Sequence, residues 1–201
     1  MGRQEAIVLL GTSHVGKSTC AGRLGAGLGW SVMSTDAMGR HPGGPWTDVP
    51  RPVIEFYLGL PDDAIEWFLR VHHQNMRPVI GAAIGAARNS GGFVLEGSAL
   101  RPEYLSGWEL GGARAVCLFA DETVLRQRIV AASGYDGRDR DMQWAIDKFI
   151  ERSLRENRAL VEAARTFEIE IVDVTDLRNA DRLVETLIAA ASMPGAASQL
   201  S

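Results

Sequence analysis

Lysine is nearly absent from this chain: Lys17 and Lys148 are its only two among 201 residues, against nineteen arginines. Neither follows an asparagine, so the guanine-reading N-K-x-D segment of a GTPase switch has no place here. Cysteine is equally sparse. Cys20 and Cys117 alone supply neither a disulfide framework nor a zinc-ligand spacing. No uninterrupted run of about 18 apolar residues occurs, and the first apolar run ends at Gly11, too short for a membrane span or a secretory apolar segment. These absences set a reduced, cytoplasmic compartment and no membrane partner as the expectation. A large charge imbalance is missing too: the net charge is −4, and nothing global favours nucleic acid or an anionic membrane. There is no internal repeat and no Ser- or Gly-rich linker to divide the chain. With 46% hydrophobic and 23% charged residues, one soluble domain over 1–192 is expected. The tail 193–201 is expected to be disordered.

What is present alternates. Ala6–Leu10 is an apolar run ended by glycine, suited to a strand buried on both faces. Lys17–Leu28 has helix-forming composition, and Trp30–Met33 reads as a second strand that closes at Ser34-Thr35-Asp36. Residues 39–52 form a Pro/Gly-rich loop. Val53–Leu58 reads as a helix. Pro61-Asp62-Asp63 opens a longer helix, with Ile65, Phe68, Leu69 and His72 at helical spacing and a kink expected at Pro78. Trp67 and Phe68 read as core. Gly92–Leu95, Ala113–Phe119 and Phe167–Val174 read as further strands, the last two separated by helices near 121–132 and 141–165. Strands alternating with helices predict an α/β fold of three layers, with a five-stranded, mostly parallel sheet and an inserted helical section at 37–90.

The most specific local pattern is GTSHVGKST, residues 11–19, which matches G-x-x-x-x-G-K-[ST], the P-loop or Walker A pattern. Gly11 and Gly16 let the backbone curl, so that the N–H groups of Thr12, Ser13, His14, Val15 and Gly16 turn inward toward phosphate oxygens. The following helix adds its positive end, beginning with Lys17, Ser18 and Thr19. Lys17 would reach the outer phosphates of ATP, and the Ser18 hydroxyl would ligate Mg²⁺. A strand before the loop and a helix after it are the context this chemistry requires.

The order strand, P-loop, helix, strand ending in Asp36, helical insertion, strand ending in Glu96, then arginine-rich helix–loop–helix resembles the nucleoside monophosphate kinase-like small-molecule kinases. Gluconate kinase, shikimate kinase, chloramphenicol phosphotransferase and the 2-phosphoglycerate kinase-like proteins belong to this group. The resemblance spans about 5–178, and only its P-loop is highly specific. It implies a three-layer P-loop NTPase fold with a helical acceptor-binding insertion (37–90) and an arginine-rich lid (126–140). It also implies transfer of the γ-phosphoryl group of ATP, with Mg²⁺, to a hydroxyl or phosphate oxygen of a small metabolite.

Carried over position by position, Asp36 looks like the carboxylate that faces the acceptor hydroxyl or the metal, with an ordinary helix cap as the alternative. Glu96, ending F-V-L-E-G-S, resembles the acid that holds Mg²⁺ through water, although the group more often has Asp or a glycine pair there. A substrate or base role, or a plain turn acid, stays open for it. Arg101 would grip an anionic acceptor. Arg126 falls near the position that covers adenine or phosphate. Arg138 and Arg140 would close onto the transferring phosphoryl group, Arg152 and Arg155 being weaker candidates. Thr175 and Asp176 would approach the adenine ring, or merely cap the next helix.

On the acceptor side, Arg40 and His41 follow Asp36 closely enough to reach the same ligand. His72 and His73 point about 100° apart on a helix and read as one buried and one solvated residue. Trp46 could act as a lid or stacking residue. Arginines around the acceptor would suit a phosphorylated or carboxylated molecule, but a sugar, an antibiotic hydroxyl or a nucleoside is not excluded. A nucleotide-dependent regulatory ATPase without a small-molecule acceptor is the competing expectation, and a homodimer is left open.

Overall fold

The computed structural model describes residues 5–39, 43–47 and 50–192. Arg40, His41 and the segment 193–201 therefore lie outside the described residues.

Five strands form one sheet: β1 (Ala6–Leu10), β2 (Ser31–Ser34), β3 (Phe93–Glu96), β4 (Arg114–Phe119) and β5 (Glu170–Asp173). Their order is β2-β3-β1-β4-β5, and all four pairings are parallel, so the sheet is wholly parallel and not merely mostly so. β1 is central and completely buried, which explains its unbroken apolar run. Its residues alternate between two cores. Ile7 and Leu9 pack with Val94, Val116 and Leu118 on one face, whereas Ala6, Val8 and Leu10 pack with Phe93, Leu95 and Cys117 on the other.

Helices cover both faces. α1 (Lys17–Leu28), α5 (Glu122–Ser133) and α7 (Leu177–Ser192) contribute Leu24, Leu125 and Leu187 to the first core. α4 (Asp62–Arg88) contributes Met76, Ile80 and Ile84 to the second. α6 (Arg140–Thr166) reaches both: Ile146 and Phe149 join the first core, Leu160 and Ala164 the second. Two shorter helices, α2 (Thr35–Met38) and α3 (Arg51–Gly59), lie between β2 and α4. Among the described residues, no helix is long and apolar enough to cross a membrane.

Three local expectations change. The strand expected from Phe167 starts only at Glu170, because α6 runs to Thr166 and the chain then turns through Glu168 at φ 54. The lid expected over 126–140 shortens to a link between helices. α5 continues to Ser133 and ends on the left-handed Gly134, and Asp139 caps the next helix by accepting from the Met142 N–H at 2.8 Å. Trp67 and Phe68 are not core: they are 61% and 41% exposed, because the buried stripe of α4 runs through Ile65, Leu69, His73, Met76 and Ile80. As the sequence pattern predicts, α4 continues past Pro78.

Candidate functional site

Parallel strands bring their C-terminal ends to one edge, where open α/β sheets form a crevice. Here β1 delivers the P-loop to that edge. Gly11 adopts φ 144, a conformation glycine favours, and a Cβ there would meet the Leu118 carbonyl oxygen at 2.8 Å. Gly16 has φ 108 and leads directly into α1. His14, between them, is itself at φ 62. The loop is thus shaped by residues at fixed spacing, as its sequence pattern requires.

Lys17 is buried, and its ammonium donates to the Thr12 carbonyl at 2.8 Å. Burial pulls its pKa down, partly offset by the nearby Asp36, Glu96 and Glu156 carboxylates. The Ser18 hydroxyl donates to Glu96 Oε2 at 3.1 Å, placing a hydroxyl and a buried carboxylate together beside the loop.

Asp36 reaches the same crevice through strand register. Ser34 of β2 pairs with Glu96 of β3, so the chains leaving both strands run side by side. Two residues on, Asp36 Oδ1 accepts from the Ser98 N–H at 2.8 Å and from the Ser98 hydroxyl at 2.6 Å. Between them Gly97, at φ 137, lies so close to Thr35 that a Cβ would be 2.0 Å from its hydroxyl oxygen. Asp36 is therefore the second residue of α2, tied to Ser98, and not the residue that caps that helix.

A cleft of about 440 Å³ opens above these groups. Its floor is the P-loop from Ser13 to Thr19, excluding the buried Val15, and its rim carries Asp36, Ser98, Gly43 and Gly44. The rest of its lining is Leu69 and His73 of α4 and Phe149, Arg152 and Glu156 of α6. Arg152 is 8% exposed, stacks over the Phe149 ring at 4.5 Å, and lies 3.4 Å from the Ser13 hydroxyl. No ion pair to Arg152 occurs among the described residues, and its Nε has no hydrogen-bond partner. Glu156 accepts from the Thr12 hydroxyl at 3.2 Å, linking α6 to the P-loop. His73 is 3% exposed with an unpartnered Nδ1, and burial is the main cause that pushes its pKa down to about 4. The imidazole is therefore neutral at neutral pH.

A second cleft, about 400 Å³, lies on the other side of the P-loop and shares His14, Gly16 and Thr19 with the first. Arg128 borders it and donates to the Val15 carbonyl at 3.3 Å and the Val174 carbonyl at 3.0 Å. Val174 and Leu177 line it, whereas Thr175 and Asp176 do not. The Thr175 hydroxyl accepts from the Asp121 N–H at 2.8 Å, and Asp176 accepts from the Arg178 N–H at 2.9 Å at the start of α7.

The structure thus gathers Lys17, Ser18, Asp36 and Glu96 at one place. It does not gather the expected lid arginines. Arg126 pairs with Glu151 on the outer side of α6. Arg138 donates to the Ser133 carbonyl at 2.9 Å and the Trp46 carbonyl at 3.3 Å, and Arg140 opens α6 outside both clefts. The Trp46 ring in turn packs edge-on to Phe149 at 4.9 Å and against His14 at 5.6 Å. Arg101 lies outside the phosphate cleft, in an adjoining cavity.

Arg152, a weaker candidate in the sequence, lines the cleft where the lid arginines do not; His73 was one of several acceptor-side candidates, and Arg128 and Glu156 were not foreseen as site residues. One sequence signal could have found the α6 pair. The buried face of that helix is interrupted at Arg152, Ser153, Glu156 and Asn157, where an ordinary core stripe would be apolar.

No protein-family model and no curated protein matches this sequence. The solved structures similar over nearly their whole length include two kinases. A sugar kinase from Janibacter sp. HTCC2649 is 18% identical with a TM-score of 0.52, covering 94% of this chain and 96% of that one. A shikimate kinase from Bacteroides thetaiotaomicron is 17% identical with a TM-score of 0.51, covering 90% and 97%. The chain therefore has the α/β P-loop fold found among small-molecule kinases.

Proposed function

We propose that this protein transfers the γ-phosphoryl group of ATP to a hydroxyl group of a small molecule. The observation that carries this reading is the convergence of Lys17, Asp36 and Arg152 on one cleft. A P-loop alone would serve any nucleotide-binding protein. A carboxylate and a buried guanidinium with no ion pair among the described residues are what phosphoryl transfer to an acceptor adds.

The P-loop N–H groups and Lys17 hold the phosphate chain of ATP, with the base in the cleft beside Arg128. The acceptor hydroxyl approaches between Asp36 and His73. Its oxygen forms a bond to the γ-phosphorus, the bond from that phosphorus to the β–γ bridging oxygen breaks, and ADP leaves. The hydroxyl proton passes to the Asp36 carboxylate late in the transfer and then to solvent. Arg152 balances charge on the equatorial oxygens. Ser18 and Glu96 would hold Mg²⁺, for the hydroxyl and carboxylate that meet at 3.1 Å are the hard oxygen donors this ion prefers. When bound there, the ion would supply neutralisation of the phosphate charge. The Gly43-Gly44 backbone at the rim, with Trp46 packed behind His14 and Phe149, would limit water and keep hydrolysis slow without an acceptor.

The test is ADP release from Mg·ATP across neutral and anionic hydroxy compounds. Stimulation well above the basal rate by at least one acceptor is expected. Substantial basal hydrolysis that no acceptor changes would instead describe a regulatory ATPase.

A further inference from the structure

His14 holds a backbone conformation that glycine would adopt freely. Its φ is 62, where a Cβ is crowded, and among the described non-glycine residues only Glu168 shares a positive φ. The imidazole kept at this cost sits at a crossing. His14, Gly16 and Thr19 are the residues that line both the phosphate cleft and the cleft beside Arg128. A nucleotide with its base in one cleft and its outer phosphates in the other must pass them.

The His14 ring also meets two other rings. It is tilted against Trp46 at 5.6 Å and edge-on to Phe149 at 5.9 Å, and those two meet each other edge-on at 4.9 Å. Its Nδ1 is buried with no hydrogen-bond partner, so packing, and no hydrogen bond at that atom, sets the ring's position. Burial, with Lys17 and Arg152 nearby, holds its pKa below the usual 6.5. The imidazole is therefore neutral at neutral pH, with one N–H to give.

Trp46 lines neither cleft, yet it supports residues that line one. Its indole folds back on Gly44, where a Cβ would meet the ring at 2.7 Å. The Thr47 hydroxyl and N–H both donate to the Gly44 carbonyl, at 3.0 and 3.4 Å, which closes a turn over 44–47. The Tyr57 hydroxyl donates to the Gly43 carbonyl at 3.1 Å. The rim of the phosphate cleft is thus a turn built around the indole, and a displaced indole displaces Gly43 and Gly44.

We propose that His14 is a positioning residue that couples nucleotide binding to the Gly43-Gly44 rim. The imidazole N–H donates to an oxygen of the phosphate chain where it passes between the clefts. The ring then turns against Trp46, and the indole carries the rim with it. That the rim encloses an acceptor rests on the phosphotransfer reading above; that nucleotide and rim are coupled does not. Coupling is reciprocal, so loosening the indole must weaken nucleotide binding even though Trp46 lies outside both clefts.

A double-mutant cycle on the full chain tests this, with Mg²⁺ and a non-hydrolysable ATP analogue titrated calorimetrically. His14→Gly, which suits φ 62, and Trp46→Leu each lower affinity by about fivefold or more, and the double variant loses no more than either alone. His14→Asn, which tolerates the same backbone and stays polar but lacks the ring, behaves as His14→Gly. Intrinsic emission gives a second readout from a chain with five tryptophans. The analogue changes the emission of wild type, and that change is lost in Trp46→Leu and in His14→Gly. Should Trp46→Leu fail to fold, the emission of His14→Gly and His14→Asn decides the matter. Losses that multiply in the double variant, wild-type affinity in His14→Asn, or an emission change that survives His14→Gly overturns the coupling. If a hydroxy compound stimulates ADP release while His14→Gly matches wild type in both readouts, phosphotransfer stands and this proposal falls. If the coupling is found but no acceptor raises ADP release, the phosphotransfer reading fails and the link between nucleotide and rim remains.

Discussion

The two walls of the cleft are built from different material. The P-loop wall is backbone, shaped by Gly11 and Gly16 at positive φ, with Lys17 buried at the start of α1. The opposite wall is side chains on two long helices, His73 from α4 with Arg152 and Glu156 from α6. The first wall recognises what all nucleoside triphosphates share. The second depends on how α4 and α6 pack, and so can be changed one residue at a time without touching the phosphate loop. Fixed chemistry at one wall and variable recognition at the other let one fold serve many acceptors.

Substitutions can break this division, starting with the wall where the effect should be largest. Lys17→Ala removes the only lysine of the cleft, and kcat/KM for Mg·ATP should fall by about 1,000-fold, read by ADP release, with little change in melting temperature. Arg152→Gln should cost about 100-fold in kcat, with a smaller change in KM for ATP, because its charge acts on the transferring group. An equal loss in nucleotide binding would instead place Arg152 with the first wall.

Gly97→Ala probes the seam between the walls. The added Cβ would collide with Thr35, and stability measured by urea unfolding should drop by about 2 kcal/mol as Asp36 is displaced. The last effect is on the second wall and appears only as pH changes. His73 titrates near 4 when folded, mainly because it is buried, against 6.5 when unfolded. The unfolded chain therefore binds more protons between these values, and stability falls as pH drops through that window. The loss amounts to about 3 kcal/mol at most. His73→Phe should flatten that part of the slope relative to wild type in unfolding curves taken from about pH 7 to about pH 4.

The same division explains what could be read from the sequence. The P-loop wall was legible because its geometry is local: glycines eleven and sixteen, then Lys17 and Ser18, carry their spacing in the chain itself. Glu96 could be placed because it ends a short apolar strand and Asp36 because it follows β2 by two residues, and parallel pairing then brings those strand ends together. The second wall was not legible, since His73 and Glu156 meet only when α4 packs on α6, 83 positions along the chain. The histidine pair showed this ambiguity: period alone could not say that His73, and not His72, lies in the buried stripe. Arg138 was misplaced for a related reason. Gly134 and Asp139 cap two helices so closely that little loop remains to close over the cleft, and Arg138 instead fastens the link to Trp46.

Acceptor-dependent ADP release, compared between wild type and Asp36→Asn, tests the phosphotransferase reading most directly. An acceptor should raise ADP release from Mg·ATP well above the basal rate, and Asp36→Asn should remove about 100-fold of that stimulated rate while leaving nucleotide binding intact. Substantial basal hydrolysis that ignores every acceptor and survives Asp36→Asn would contradict it, and would leave a nucleotide-dependent regulatory ATPase built on the same P-loop.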